Sequence, residues 1–408
     1  MAKDVNPPRG MRDFLPLEKL KREQVLARIR GTYRSHGFSE IETPALEDLA
    51  KLTSGQGGDN EKLAYRVMKR GAELDEALAT GDAAELSDLG LRFDLTVPLT
   101  RYYATNRAEL PTVFKAIQTG PVWRAERPQK GRYRQFVQCD IDIIGDASSL
   151  AEIDLLVSSL DALDSLGLQD AVIRVNHREL LAKNLASLGV AEADRPSAMI
   201  IIDKLDKIEA AGVEKELTER FGEQVGSKAG KWLAEIAADK SVPNELTEIF
   251  EAVETRHKGR LRFDATLVRG MGYYTGAIFE IEHPASGSSI GGGGRYDGMV
   301  GRWLGTDVPA VGISLGFERV VDLVDSAKFT SRAASAVLVL ENESPVTVAN
   351  ALARQRELQD YGTDVRLELR PKKLNLLLET LGKQGFDKFA VVDETTTSPG
   401  ALSLKDIG

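Results

Sequence analysis

The sequence predicts a mixed α and β protein built from more than one domain. Its 408 residues exceed the roughly 100–200 residues of an ordinary domain, so two to four units can each bury a core. Strand-like runs occupy residues 91–145 and return after residue 260, with a helix-rich stretch between them. Residues 334–408 alternate strands with helices, which is typical of a small α/β domain with a mostly parallel sheet.

Composition and charge narrow the class of protein. The apolar share of 42% and the charged share of 28% are normal for a globular protein. The 53 Lys and Arg against 62 Asp and Glu give a net charge of −9, which excludes a generally basic coat for nucleic acid but not a local basic site. A single cysteine, Cys139, and four scattered histidines predict no disulfide framework and no tightly bound protein metal.

The N-terminal sequence MAKDVNPPRGMRDF lacks the apolar core of a secretion signal. No apolar run approaches the ~20 residues needed to cross a bilayer. We therefore expect a soluble, cytoplasmic protein.

The first predicted element is a helix. Val25, Ile29 and Tyr33 recur at a spacing of four residues, and Gly37 stands where a left-handed C-terminal cap belongs. The segment FSEIETP then predicts a short strand that Pro44 ends. Residues 54–90, rich in Gly, Asp, Glu and Ala, predict a loop with one helical stretch.

The densest cluster of cations follows in residues 124–134, here called the cationic loop. Two strand-like runs flank it, which predicts an antiparallel pair, and it carries five cations: Arg124, Arg127, Lys130, Arg132 and Arg134. Arginine forks suit phosphate and carboxylate oxygens, and the nearby Phe136 can stack on a base. By itself, a loop of this kind is more often a solvated, charged hairpin tip.

The middle of the chain predicts an inserted helical domain over residues 171–258. Residues 149–167 form a helix that ends at Gly167, and the insertion then holds one strand, AVIRVN, and several amphipathic helices. Its GSKAGKW segment has one residue too few for a phosphate-binding loop, so we interpret it as a helical turn.

Three segments after the insertion carry unusual residues. LVRGMGYYTGAIFEI places Arg269 at a strand end beside glycines and two tyrosines. GGGGRYDG is a poor strand unless something must lie flat against its backbone. LGFERVVDLVD begins a helix with Glu318 and Arg319, and residues 326–335 predict a linker to the last domain.

Taken in order, these segments resemble the class II aminoacyl-tRNA synthetases and, within them, the histidyl-tRNA synthetase family. RGMRDFLP is similar to that family's opening, GFSEIETPALED to motif 1, FDLTVPLTRYYA to its histidine-binding stretch, VWRAERPQKGRYRQFVQCDID to motif 2 and GISLGFERVV to motif 3. RGMGYYTG and GGGGRYDG resemble two segments peculiar to the histidine enzymes. The resemblance implies an α+β class II core, an antiparallel sheet flanked by helices, in two parts (residues 1–170 and 259–328), with the insertion at 171–258 and an anticodon-binding α/β domain at 334–408.

The resemblance also implies a reaction and partners. Such an enzyme activates L-histidine with ATP, releases pyrophosphate and transfers histidine to the 3' end of tRNA(His). The resemblance implies Mg²⁺ bound with ATP and a homodimer with motif 1 at its interface. It also implies contacts between the C-terminal domain and the tRNA backbone through Arg366, Arg370, Lys372 and Lys373. Ordinary solvated charges are an equal alternative for these four residues.

The family's residue roles carry over position by position. The implied catalytic residues are Arg124 and Arg269, both at the α-phosphate. The implied ATP contacts are Arg124, Glu126 at the adenine amino group, Phe136 under the ring, and Arg132 with Arg319 at the γ-phosphate. The implied histidine contacts are Asp94, Thr96 and Gln138 at the α-amino side, Asp142 and Tyr274 at the imidazole nitrogens, and Tyr273 and Tyr296 in the same pocket.

Three features depart from the usual family pattern. Gly272 stands where an acidic residue is usual, which puts the support of Arg269 in question. Asp94 and Asp142 replace the glutamates of many bacterial relatives, as in eukaryotic-type members. The chain also stops at LKDIG, earlier than expected for the family's last strand and helix, as in a short or truncated tail.

Two other functions remain open at the level of sequence. One is the synthetase-like, histidine-sensing regulatory subunit of ATP phosphoribosyltransferase, which generally lacks the anticodon domain and loses the ATP-binding arginines. This sequence keeps both, which favours the ligase. The other is a specialised histidyl-tRNA synthetase paralogue, which the sequence does not separate from a housekeeping enzyme.

Overall fold

The structure, a computed structural model, describes residues 5–54, 58–128, 131–238, 241–269, 273–329 and 334–407. Its strands are β1 (Ser39–Glu40), β2 (Leu46–Asp48), β3 (Tyr65–Met68), β4 (Ser87–Leu91), β5 (Phe114–Trp123), β6 (Gln135–Ile144), β7 (Val172–His177), β8 (Leu261–Phe263), β9 (Ala277–Glu282), β10 (Gly291–Arg295), β11 (Ala310–Gly316), β12 (Ser335–Leu340), β13 (Asp364–Leu369), β14 (Lys388–Val392) and β15 (Lys405–Asp406).

The helices are α1 (Pro16–Ser35), α2 (Leu49–Leu52), α3 (Ala72–Thr80), α4 (Thr96–Asn106), α5 (Ser149–Ser165), α6 (Arg178–Leu188), α7 (Arg195–Ile202), α8 (Leu205–Phe221), α9 (Glu223–Ala238), α10 (Asn244–Glu254), α11 (Asp297–Leu304), α12 (Phe317–Leu323), α13 (Ser326–Phe329), α14 (Pro345–Asp360) and α15 (Leu374–Gly382). The chain divides into two units, the first comprising Met1–Asp13 and Ala27–Val324 and the second Phe14–Leu26 and Asp325–Gly408. Across the described residues, no helix is both long and apolar enough to cross a membrane.

The first unit is organised around a mixed sheet. Eight strands of its described part pair in the order β1-β5-β6-β11-β10-β9-β7-β8, and all neighbours are antiparallel except the β1–β5 and β7–β8 pairs. Helices α5 and α12 both pack against β6 and β11. The long strands β5 and β6 are antiparallel partners on either side of the cationic loop, so the predicted antiparallel core is confirmed.

The predicted start of the inserted helical domain at residue 171 is wrong. Strand β7 pairs with β9 and β8, so AVIRVN belongs to the main sheet. Its apolar side chains Ile173 and Val175 are fully buried, as befits a strand inside a sheet. Helix α10 also packs on α5, β7 and β8. The helices that form a separate apolar cluster are α6–α9.

Close packing of two helices explains the glycines of GSKAGKW. The segment lies inside α9, as predicted, and α9 packs against α8. A Cβ on Gly226 would lie 1.8 Å from Thr218 Oγ1, and one on Gly230 would lie 2.4 Å from Glu214 Oε2. These glycines therefore serve helix packing and not phosphate binding.

The prediction for residues 54–90 is incomplete. They contain the predicted helical stretch, α3, but also β3 and β4, which join β2 in a three-stranded sheet. The apolar side chains Leu46, Met68 and Leu89 of this sheet are each more than a third exposed. The strands are short and partly exposed, so their sequence lacks the apolar alternation that predicts a strand.

The run of four glycines forms the central strand β10. A Cβ on Gly293 would lie 1.9 Å from the Gly312 carbonyl oxygen of β11, so the neighbouring backbone does lie flat against it. In α1, the predicted apolar residues Val25, Ile29 and Tyr33 are fully buried, and Gly37 has the expected positive φ of 81°.

The second unit has the predicted α/β pattern. Its sheet has the order β13-β12-β14-β15, with parallel pairing of β12 to β13 and β14. Ser344 caps α14 by accepting from the Thr347 amide at 3.2 Å. The predicted linker is partly helical, because residues 326–329 form α13, and residues 330–333 lie outside the described ranges.

Candidate active site

One cavity of about 620 Å³ opens over the large sheet of the first unit. Strands β6, β10 and β11 form much of its wall, and the starts of α4 and α12 also contribute lining residues. All the predicted site residues line it: Asp94, Thr96, Arg124, Glu126, Arg132, Phe136, Gln138, Asp142, Arg269, Tyr273, Tyr274, Tyr296 and Arg319. Segments that are far apart in the sequence thus meet in one place.

Strand alternation explains four of the five lining residues that β6 supplies. Successive side chains of a strand point to opposite faces. Phe136, Gln138, Asp140 and Asp142 therefore share the cavity face. The residues between them from Cys139 onward, such as Ile141, are fully buried and apolar.

Asp94, Asp140 and Asp142 form what we call the acidic end of the cavity. Burial raises the pKa of Asp142 to about 7 and that of Asp94 to about 6, and it raises the pKa of Asp140 well above its ordinary value. The charge of Asp94 adds to the shifts of the other two carboxyls. The acidic end is therefore built to meet donors or a positive charge.

Asp142 has one oxygen in use and one available. Its Oδ1 accepts from Tyr296 Oη at 2.5 Å, while its buried Oδ2 has no hydrogen-bond partner among the described residues. Gly312 lies opposite on β11, where a Cβ would be 1.9 Å from Asp142 Oδ1. Burial raises the pKa of Tyr274 and Tyr296, so both hydroxyls stay protonated and able to donate.

Asp140 is a site residue that the sequence analysis missed. Gln138 Nε2 donates to Asp140 Oδ2 at 3.3 Å and to Ser314 Oγ at 3.2 Å. Gln138 Oε1 is buried and has no hydrogen-bond partner in the described part of the chain, so it is available to a ligand. The spacing of two along β6 from Gln138 and Asp142 was the signal that could have identified Asp140.

Arg124, Arg132, Arg269 and Arg319 form the cationic end. Arg124 Nε donates to the Phe93 carbonyl at 2.9 Å, and its guanidinium lies 5.1 Å from the centroid of the Phe136 ring. Burial, together with the charges of Arg132 and Arg269, lowers the pKa of Arg319. Arg132, Arg269 and Arg319 come from three separate segments and repel one another at this end. Their repulsion favours the binding of a multiply charged anion there.

Arg269 is held against the sheet by an acid and a glycine. Its Nη1 donates to Glu280 Oε2, and the other oxygen of Glu280 pairs with Arg174 Nη1 at 3.3 Å. A Cβ on Gly292 would lie 2.4 Å from Arg269 Cζ, so only glycine leaves room for the guanidinium. The predicted departure at Gly272 lies outside the described residues, and Glu280 is an acidic support that the sequence analysis did not assign.

The two ends meet at Arg124. The charge of Arg124 acts on the buried Asp94, which in turn accepts from the Val97 amide at 3.2 Å and opens α4. Glu126 pairs with Arg132 at 3.6 Å on the cationic side. The cavity can therefore hold a ligand with cationic and donor groups beside a polyanionic one, with an arginine between them.

The described residues contain no group of three or more His, Cys, Asp or Glu side chains placed to hold a metal ion. The donors at the cationic end are guanidinium groups, which bind phosphate oxygens directly.

The chain matches known proteins along its length. Residues 10–320 match the family described as histidyl-tRNA synthetase. The curated histidine–tRNA ligase of Leifsonia xyli subsp. xyli is 51% identical over 432 residues, which cover 100% of this chain and 99% of that protein.

Solved structures share the fold. The crystal structure of histidyl-tRNA synthetase from Nostoc sp. PCC 7120 superposes with a TM-score of 0.78 at 28% identity, covering 99% of this chain and 95% of that one. An ATP phosphoribosyltransferase regulatory subunit/histidyl-tRNA synthetase from Bacillus halodurans gives a TM-score of 0.73 at 19% identity, covering 96% and 98%. At that identity the second likeness shows the fold alone.

Proposed function

The chain belongs to the histidyl-tRNA synthetase family, and we infer from this that it is a histidine–tRNA ligase. It activates L-histidine with ATP to histidyl adenylate, releases pyrophosphate, and transfers histidine to the 3' end of tRNA(His). The observation that carries the proposal is the single cavity with an acidic end and a cationic end. The acidic end matches the ammonium and imidazole of histidine, and the cationic end matches the triphosphate.

In the activation step a histidine carboxylate oxygen attacks the α-phosphorus of ATP, and the bond to pyrophosphate breaks. The protein contributes position and charge rather than covalent chemistry. Arg124 lies between the two ends and holds the carboxylate beside the α-phosphate, and Arg269 contacts the same phosphate. Arg132 and Arg319 hold the γ-phosphate, Glu126 contacts the adenine amino group and Phe136 stacks under the ring.

Histidine is recognised through its α-amino group and through its imidazole ring. Asp94, Thr96 and Gln138 take the α-amino group, for which the available Gln138 Oε1 and the raised pKa of Asp94 are the support. Asp142 Oδ2 accepts from one ring nitrogen and the protonated Tyr274 hydroxyl donates to the other. Tyr273 and Tyr296 complete the pocket. A site that pairs polar groups rejects analogues lacking them by about 10⁴–10⁵-fold.

Three further properties belong to the proposal. Mg²⁺ bound to ATP would neutralise charge on its phosphate oxygens, beside the arginines of the cationic end. The enzyme is a homodimer whose interface includes residues 37–48, and the support is the set of exposed apolar side chains Leu46, Met68 and Leu89 on the three-stranded sheet that this segment joins. It acts in the cytoplasm, where its substrates are found.

Transfer of labelled histidine to a tRNA(His) transcript tests the proposal. We expect acid-precipitable label on tRNA(His) only when ATP is present. A tRNA transcript specific for another amino acid should carry no label. A folded chain that binds histidine but transfers none, with the arginines of the cationic end intact, would instead support a histidine-sensing role.

A further inference from the structure

We propose that Arg12, in the segment before α1, is a positioning residue for the ATP end of the site. This inference rests on the function proposed above and assigns a role to the N-terminal segment. Arg12 does not line the cavity, but it contacts two side chains that do, Tyr133 and Glu318. It therefore acts on ATP through its neighbours.

The first contact is with the cationic loop. The Arg12 guanidinium carbon lies 3.7 Å from the centroid of the Tyr133 ring, within the range of a cation–π interaction. Tyr133 follows Arg132 directly, so fixing the ring fixes the backbone that carries the arginine. Arg132 is more than half exposed, and its position depends on that backbone.

The second contact is with the start of α12. Arg12 Nη2 donates to Glu318 Oε2, and the other carboxylate oxygen, Oε1, accepts from the Val137 amide of β6 at 3.1 Å. The Glu318 side chain is only 9% exposed, and a buried carboxylate needs nearby positive charge and donors. Arg319 is the next residue, so the orientation of Glu318 and that of the γ-phosphate arginine are linked.

A glycine brings the segment close enough to make these contacts. The Gly10 carbonyl accepts from the Arg134 amide at 2.8 Å, and Arg134 Nε donates to the Glu126 carbonyl at 2.9 Å. Gly10 has a φ of 85°, and a Cβ there would lie 2.8 Å from Pro128 Cγ. The N-terminal segment is thus fitted to the cationic loop at Gly10 and at Arg12.

All these contacts are made with the cationic loop or the start of α12, which carry residues of the cationic end. Glu126, Arg132 and Arg319 are ATP residues in the proposed function, whereas the acidic end is built from β6, α4 and Tyr296. Loss of Arg12 should therefore weaken ATP binding and leave histidine binding nearly unchanged. Loss of a purely structural residue would instead lower the stability of the protein or weaken the binding of ATP and histidine together.

The test compares Arg12→Met, which keeps an unbranched side chain without the charge, with Arg12→Lys and the wild type. Arg9→Met, an exposed arginine of the same segment, is the matched control. Calorimetric titration with ATP and separately with histidine gives both affinities, and histidine-dependent ATP–pyrophosphate exchange gives both KM values. Thermal unfolding shows whether each variant is folded.

We expect Arg12→Met to weaken ATP binding and raise the KM for ATP by about 10- to 100-fold, the range for removing one charge-assisted hydrogen bond. The KM for histidine should change less than about twofold, Arg12→Lys should recover part of the effect, and Arg9→Met should match the wild type. Unchanged ATP affinity in Arg12→Met, or equal effects on both substrates, would overturn the proposal.

Two safeguards keep the test decisive. If Arg12→Met does not fold, Arg12→Gln keeps a polar side chain without the charge and carries the same expectation for ATP affinity. If the wild type binds ATP but shows no exchange, the proposed function fails, while the ATP titrations of the variants still decide the role of Arg12.

Discussion

Among single residues, Asp142 combines a structural cost with the histidine-binding role proposed for it. Its carboxylate is buried, and burial raises its pKa from 3.8 to about 7. One oxygen is occupied by Tyr296, and the other is buried and available to a ligand. Such a group destabilises the ligand-free fold when ionised, and a matching donor from a ligand relieves that cost.

Replacing Asp142 with asparagine should stabilise the ligand-free protein more at high pH than at low pH. Between the unfolded pKa near 3.8 and the folded pKa near 7 the unfolded chain binds fewer protons, so the ionisable residue lowers stability as the pH rises. Urea unfolding should show a gain for Asp142→Asn about 2.5 kcal/mol larger at pH 8 than at pH 5. Equal gains at both pH values would show that the carboxyl does not titrate as described.

The same residue should make histidine binding pH-dependent. Asp142 accepts from the ring N–H best when ionised, so affinity should fall as the pH drops below about 7. Calorimetry with wild type and Asp142→Asn between pH 5.5 and 8 measures this. Titration of free histidine is common to both proteins, so the difference between the two profiles isolates Asp142. Parallel profiles would contradict the assignment.

Arg269 should matter for the rate of activation. Removing one preorganised donor to a reacting phosphate lowers the rate by about 10²–10³-fold. We therefore expect Arg269→Gln to lower histidine-dependent exchange by that factor. Arg262→Gln, an exposed arginine of β8, is the control and should keep wild-type activity. Exchange in Arg269→Gln within threefold of wild type would exclude a role at the α-phosphate.

Among the strands, β10 and β11 have glycines that leave room for one side chain at the cationic end and one at the acidic end. A Cβ on Gly292 would strike Arg269, whereas one on Gly312 would strike Asp142. Overpacking costs about 1–3 kcal/mol where neighbours must move. Gly292→Ala should therefore lower the exchange rate about 10-fold or more, while Gly312→Ala should mainly raise the KM for histidine.

Gly287→Ala provides the matched control for these variants, because a Cβ there meets nothing within 4 Å. It should behave as wild type in exchange assays with varied ATP and varied histidine. If Gly292→Ala and Gly312→Ala gave the same pattern of rate and KM, the two ends would not be separate sites.

The elements that the sequence predicted well are those with a local signal. The helix of Val25, Ile29 and Tyr33, its Gly37 cap and the alternation of the C-terminal domain depend on neighbouring residues. Strand β7 was assigned to the wrong domain because its partners, β8 and β9, are about ninety residues or more away in sequence.

The same limit applies to the site. Residue types and resemblance identified the arginines, tyrosines and Asp142, but not the partners that hold them. Folding brings Glu280 to Arg269 and brings Arg12 to Glu318. The residues of the second pair are 306 positions apart in the sequence. Asp140 could have been found, because it shares a strand face with two predicted residues.

At the scale of the whole molecule, activation and tRNA binding should separate. Of the four cations proposed for tRNA, Arg366 pairs with Glu368 and Arg370 pairs with Glu341, whereas Lys372 and Lys373 are exposed at the start of α15. Pairing with an acid reduces what an arginine contributes to phosphate binding. The two lysines are therefore the stronger candidates.

The double variant Lys372→Ala/Lys373→Ala should keep wild-type ATP–pyrophosphate exchange but raise the KM for tRNA(His). The salt dependence of tRNA binding should also weaken, by roughly 0.7–0.9 in log–log slope for each phosphate that the protein no longer neutralises. Lys383→Ala, at the other end of α15 in an ion pair with Glu379, is the control. An unchanged KM and slope would assign these lysines to ordinary surface charge.

We propose that one cavity selects histidine at its acidic end and activates it with ATP at its cationic end. Amino-acid-dependent ATP–pyrophosphate exchange on the purified chain tests this most directly. We predict exchange with histidine and none above background with other amino acids or without Mg²⁺. A folded chain that binds both histidine and ATP but catalyses no exchange, or one that exchanges equally well with another amino acid, would contradict this role of the cavity.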